Sequence, residues 1–104
     1  GVGSGDGPYS IGTPGLTDPV LIVQTIPSYT DEAIKAKIQG VVLLQAVIRK
    51  NGRVDSPIVL RGLGYGLEEK AIQEIVTHWR FRPATLYGRP VDLQAMIEVT
   101  FNLR

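Results

Sequence analysis

Few side chains in this 104-residue sequence have the type and spacing that chemistry needs. His78 is the only histidine, and there is no cysteine. A metal site would need a second imidazole or a thiolate beside His78, and Glu74, one helical turn back, is a lone carboxylate. The lack of cysteine also excludes disulfides, iron–sulfur clusters and a thiol nucleophile. His78 therefore reads as a helix-end histidine favoured by the helix dipole. Gly62-x-Gly64-x-Gly66 has the glycine density of a phosphate loop. Its spacing is wrong, no Lys-Ser/Thr pair follows, and Glu68-Glu69 would repel phosphate. It reads instead as a turn that re-aims a strand into a helix. Glu68, Glu69 and Glu74 fall on a solvated helix face, without the cleft and shifted pKa that a general acid/base pair requires. The serines have no histidine partner at a motif spacing. No catalytic, cofactor-binding or metal-binding residue emerges, and the chain is read as a non-enzymatic binding domain without a cofactor.

Binding then becomes the question. The net charge of +1 lacks the strong basic bias of a nucleic-acid binder. Arg49, Lys50, Arg53, Arg80, Arg82 and Arg89 form at most a mild basic rim. Trp79 and Phe81 flank Arg80. This corner is read first as core anchoring and second as a contact patch, with Arg80, Arg82 and Arg89 as candidate partner contacts.

The stronger candidate is the strand over Val91–Leu103. Val91, Leu93, Ala95, Ile97, Val99, Phe101 and Leu103 alternate with Asp92, Gln94, Glu98, Thr100 and Asn102, and Met96 is the one exception. It carries no proline, bulge signal or inward charge to blunt a free edge. The expected partner-binding edge is Asp92, Leu93, Gln94, Ala95, Met96, Ile97, Glu98, Val99 and Thr100, used by strand addition. Successive N–H groups of a strand face opposite neighbours, so one of Gln94 and Ala95 donates inward and the other outward. The sequence does not say which.

The remaining elements must hold this strand. Gly1–Gly7 reads as the end of a flexible linker, and residues 1–25 as linker and extended arm, with Leu21-Ile22-Val23 as a short strand at most. A helix over Glu32–Ile38 is capped by Thr30 or Asp31 and stopped by Gly40. Val41–Arg49 is a strand whose even positions are apolar. Asn51-Gly52 turns it into a return strand, Val54–Arg61, with Val54, Ile58 and Leu60 on one face. Pro57 places that strand at an edge or a bulge. Leu67–Trp79 is an amphipathic helix with Leu67, Ala71, Ile75 and Trp79 on its apolar stripe. The longest apolar run, Val41–Ile48, falls far short of the ~20 residues that span a bilayer. The expected fold is α+β: one domain over residues 26–104, with a three-stranded antiparallel sheet of order 2-1-3 and two helices on one face.

In order and at this spacing, several short runs resemble one family. They are Pro27-x-Tyr29, Ala33, Ile38-Gln39-Gly40-x-Val42-x-Leu44, Lys50-Asn51-Gly52-Arg53-Val54, Gly66-Leu67-x-x-x-Ala71, Trp79-Arg80-Phe81-x-Pro83-Ala84 and Gly88-Arg89-Pro90-Val91. Together with the closing strand they resemble the C-terminal domain of TonB-type energy transducers, over about residues 26 to 104. Thr30 stands where the family often has proline, and Ile26-Pro27 stands where some members have a glutamine-proline pair.

The resemblance implies a periplasmic domain tied to the inner membrane by a helix absent from this chain. Its implied partners are an outer-membrane TonB-dependent transporter, gripped through an extended segment, and proton-channel motor proteins that act through the missing helix. Transmission of proton-motive energy to drive uptake would follow. The alternative function is a non-energised periplasmic interaction module of a membrane-anchored signalling or peptidase protein. A strand-exchanged homodimer is a further expectation from the unpaired edge.

Overall fold

The computed structural model describes residues 7–103. The linker reading of residues 1–6 lies outside the described residues. In chain order the elements are β1 (Tyr9–Ser10), β2 (Leu16–Thr17), β3 (Val20–Val23), α1 (Asp31–Lys35), β4 (Gly40–Ile48) and β5 (Val54–Arg61). They are followed by α2 (Leu67–Thr77), β6 (Arg80–Arg82), β7 (Thr85–Leu86), β8 (Arg89–Pro90) and β9 (Leu93–Phe101).

The main sheet has the order β1-β9-β4-β5. Its three long strands lie second, first, third from one edge, all antiparallel. The pairing of β4 with β9 runs without a register shift from Gly40↔Phe101 to Ile48↔Leu93. Val42, Leu44, Ala46 and Ile48 thus stand opposite Val99, Ile97, Ala95 and Leu93 on one face. All eight are buried, with Leu67, Ala71 and Ile75 of α2 in the same core. The period of two in each strand and of about four in the helix bury one face of each, which is why the sheet has a wet side and a dry side.

Helix α1 is shorter than the expected Glu32–Ile38. Thr30 caps it, its hydroxyl accepting from Ala33 N–H at 3.1 Å. Lys37 then takes a left-handed φ of 57°. Lys37 N–H donates to Ile34 O and Ile38 N–H to Ala33 O, both at 3.0 Å, which is the Schellman ending, so the helix stops at Lys35, well before Gly40. Helix α2 stops at Thr77 rather than at Trp79. Arg80 donates to the carbonyls of Trp79 (2.7 Å) and Thr77 (2.9 Å), satisfying acceptors the helix leaves open.

The β4–β5 hairpin is wider than a two-residue turn. Gly52 N–H donates to Arg49 O and Arg49 N–H to Arg53 O, each at 2.8 Å. Only Gly52 in the turn has positive φ (86°), which makes a type I turn followed by a glycine bulge. Gly52 also receives the Phe81 N–H on its carbonyl at 2.9 Å, and an added Cβ would sit 2.3 Å from Phe81 O.

Strand β5 departs from expectation in its facing. Val54 is buried, but Ile58 and Leu60 are exposed. Register shifts between Val47 and Gln45, and between Leu44 and Leu43, each insert one extra β5 residue. Ser56, at φ 54°, and Pro57 lie at the first shift. One inserted residue moves every later side chain to the opposite face. Pro57 is thus both on an edge strand and at a bulge.

The arm is more ordered than expected. Besides β3, which pairs antiparallel with β6, β2 pairs with β7 and β1 pairs parallel with the start of β9. The arm continues to Thr25, whose carbonyl accepts from Trp79 Nε1–H at 3.0 Å and whose hydroxyl bonds the Glu74 carboxylate.

Candidate functional site

Strand β9 alternates buried and exposed residues throughout, with Gln94, Met96, Glu98 and Thr100 on the solvent side. The direction of its peptide groups follows from two contacts. Tyr9 N–H, on β1, donates to Asp92 O at 3.0 Å, so the polar groups of Asp92 face away from β4. Alternation then turns those of Gln94, Met96, Glu98 and Thr100 outward, and those of Leu93, Ala95, Ile97, Val99 and Phe101 toward β4. The hairpin gives the same parity. Arg49 N–H bonds Arg53 O, so odd residues of β4 face β5 and even ones, Ala46 opposite Ala95 among them, face β9.

The expected open edge, Asp92–Thr100, is therefore narrower. Leu93 and Gln94 are paired with Tyr9 and Ser10. Asp92 lies just before the strand, and its carboxylate accepts from Arg49 Nη1 (3.0 Å) and Lys50 N–H (2.8 Å). Arg49 also donates Nε to both oxygens of Asp55, at 2.8 and 2.9 Å. That bond holds the Asp55 carboxyl below its ordinary range, and the two carboxylates raise the Arg49 pKa. The network ties the hairpin to the start of β9. From Met96 to Phe101, no described residue pairs with the outer side of β9.

This free edge opens on a groove. Toward its start the groove is lined by Ala95, Met96, Ile97 and Glu98 on one side and by Ile11, Asp18, Pro19, Leu21 and Gln24 of the arm on the other. Toward its end, Val99, Thr100 and Asn102 face Gln24, Thr25, Ile26 and Pro27. Trp79, only 3% exposed, lines both stretches, and Phe81 joins it in the first. The arm wall was not found by sequence reasoning, because its short apolar patches carry no periodicity. The signal present was Leu21-Ile22-Val23 between prolines.

Arg80, Arg82 and Arg89 do not form one patch. Arg80 and Arg82 lie on β6, paired with β3, whereas Arg89 lies on β8, paired with Leu86 of β7. The Arg80 guanidinium is occupied by the end of α2. His78 is mostly exposed at the end of α2, with Nδ1 3.5 Å from the Glu74 carboxylate and 3.0 Å from Thr77 Oγ1. In the glycine turn, Gly64 N–H donates to Glu68 at 2.6 Å. That bond lowers the Glu68 pKa, and the carboxylate sits where a phosphate would have to bind. Among the described residues no group of three His, Cys, Asp or Glu could hold a metal ion, and no helix is long and apolar enough to cross a membrane.

Comparison with known proteins gives a consistent picture. No curated protein matches the chain. A solution NMR structure of the Pseudomonas aeruginosa TonB C-terminal domain superposes with a TM-score of 0.63 at 24% identity, covering 90% of this chain and 92% of that one. That likeness shows a shared fold. The family model for the Gram-negative bacterial TonB protein C-terminal matches residues 25–103. With most of the chain inside that match, the chain belongs to the TonB C-terminal family, periplasmic transport-associated domains that interact with outer-membrane transporters.

Proposed function

We propose that this domain receives an extended segment of an outer-membrane transporter as an added strand along the free edge of β9. Joined upstream to an inner-membrane helix and its proton-driven motor proteins, it transmits force through that contact to drive uptake. The observation that carries the reading is the outward row of unpaired peptide groups at Met96, Glu98 and Thr100, facing a groove. An open edge is a hazard unless it is used. The opposite edge, β5, carries Pro57 and two register shifts, whereas β9 has neither. Main-chain bonds supply affinity in such a mode, and the groove takes alternate side chains.

The test is amide hydrogen exchange during titration with a peptide from a transporter's periplasm-facing N-terminal segment. Met96, Glu98 and Thr100 amides gain protection, while Ala95, Ile97 and Val99 are protected throughout. Protection of the outward amides that grows with domain concentration alone points instead to strand exchange between copies. No added protection at these three positions refutes the edge as the site.

A further inference from the structure

Strand β1 already does to β9 what the proposed partner would do. Tyr9 and Ser10 lie parallel to Leu93 and Gln94 at the same edge, and Tyr9 N–H takes the Asp92 carbonyl. The parallel register puts Gln94 N–H opposite Tyr9 C=O. The pairing ends sharply for a local reason. The Ser10 carbonyl accepts from both the Thr13 N–H (3.2 Å) and the Thr13 hydroxyl (2.7 Å), so the chain turns off the edge after Ser10. Beyond that point the row at Met96, Glu98 and Thr100 is free. The hold on β1 is slight: two residues, in the weaker parallel geometry, with the half-buried Tyr9 side chain as anchor.

Resting on the strand-addition reading above, we propose that β1 is a displaceable stand-in for the partner strand. In place, it limits the receiving edge to the outward groups of Met96, Glu98 and Thr100. Released, it adds those of Gln94 and Asp92, so a longer extended segment gains bonds that a short one cannot reach. Because β1 is the first element of the described chain, tension arriving from the upstream side peels it before any other strand. Load would then lengthen the edge that grips the partner.

The experiment uses the whole chain with Tyr9→Pro, which removes the N–H bonded to Asp92, and Ser10→Pro as control, whose N–H faces away from β9. The probes are capped peptides of alternating valine and threonine, five and nine residues long. The expected result is equal affinity of the five-residue peptide for all three proteins. The nine-residue peptide should bind Tyr9→Pro roughly 5- to 30-fold more tightly than the unchanged chain or Ser10→Pro, matching about one or two additional backbone bonds. Amide exchange at Gln94 should quicken in Tyr9→Pro alone. Equal nine-residue affinity in the unchanged chain and Tyr9→Pro, or Gln94 exchange as fast as Met96 exchange in the unchanged chain, overturns the stand-in. Failure of the five-residue peptide to bind any of the proteins refutes strand addition itself, and this inference with it.

Discussion

Proline substitutions along β9 separate folding from binding by the parity of a single strand. Proline lacks the N–H, so at an outward position it deletes a donor that points into the groove and leaves the sheet intact. Glu98→Pro is the cleanest case, since Glu98 is exposed and its outer side has no partner among the described residues. Loss of one net backbone bond, plus the unpaired carbonyl left on a docked strand, weakens binding by about 1–3 kcal/mol, roughly 5- to 150-fold in Kd. Ala95→Pro does the reverse. It deletes a donor facing β4 opposite Ala46 and strands a carbonyl inside the sheet, costing about 1–3 kcal/mol before any clash of the ring in the core. That is a large share of the ~5–15 kcal/mol that holds a domain together. Gln94→Pro is an outward change at a position already paired with β1, so it spares the fold and loosens β1. The measurements are urea unfolding of each variant and titration with a labelled transporter-derived peptide. Side-chain truncations Gln94→Ala and Glu98→Ala serve as controls and leave affinity within about twofold, because the main chain carries the contact. If Glu98→Pro unfolds as readily as Ala95→Pro, the parity is wrong. If Glu98→Pro binds like the unchanged chain, the edge is not the site.

Trp79→Ala removes a buried indole that shares a core with Leu44, Ile75 and Phe101 and holds the arm through Thr25, so stability falls by about 3–5 kcal/mol; an unchanged urea midpoint would make Trp79 a surface residue. Gly52→Ala is expected to cost more than about 1 kcal/mol, because φ is 86° and the new Cβ meets Phe81 O, and thermal unfolding reports it. Glu68 has a folded pKa below its ordinary value of 4.5, so its contribution is present above that value and is lost as pH falls through the folded pKa. Glu68→Gln should flatten that acid limb of the stability–pH curve and leave other pH regions parallel to those of the unchanged chain; an unaltered acid limb refutes the role of the Gly64–Glu68 bond.

Much of the architecture follows from local chemistry. The alternation in β4 and β9, the stripe at Leu67, Ala71 and Ile75, and the hairpin at Asn51-Gly52 each state a period or a turn that the backbone must obey. The candidate edge was legible as well, because a proline in β5 and none in β9 is information written along the chain. What sequence could not give was anything fixed by contacts between distant residues. The bulge at Ser56-Pro57 reverses the facing of Ile58 and Leu60, and a period-two pattern cannot reveal an inserted residue. The coverage of Leu93 and Gln94 by Tyr9 and Ser10 joins segments more than 80 positions apart, with only two residues on the β1 side and no periodicity to mark them. The same holds for the arm that walls the groove. Its apolar patches have no period, and only the bond from Trp79 to Thr25 and the pairing of β3 with β6 set where it lies. Local patterning was enough to place the long strands β4 and β9 and the dry face of each, since those are consequences of neighbours along the chain. Which part of the β9 edge stays free, and what stands across from it, was decided by tertiary pairing alone, because a peptide group's partner depends on where the rest of the chain comes to rest.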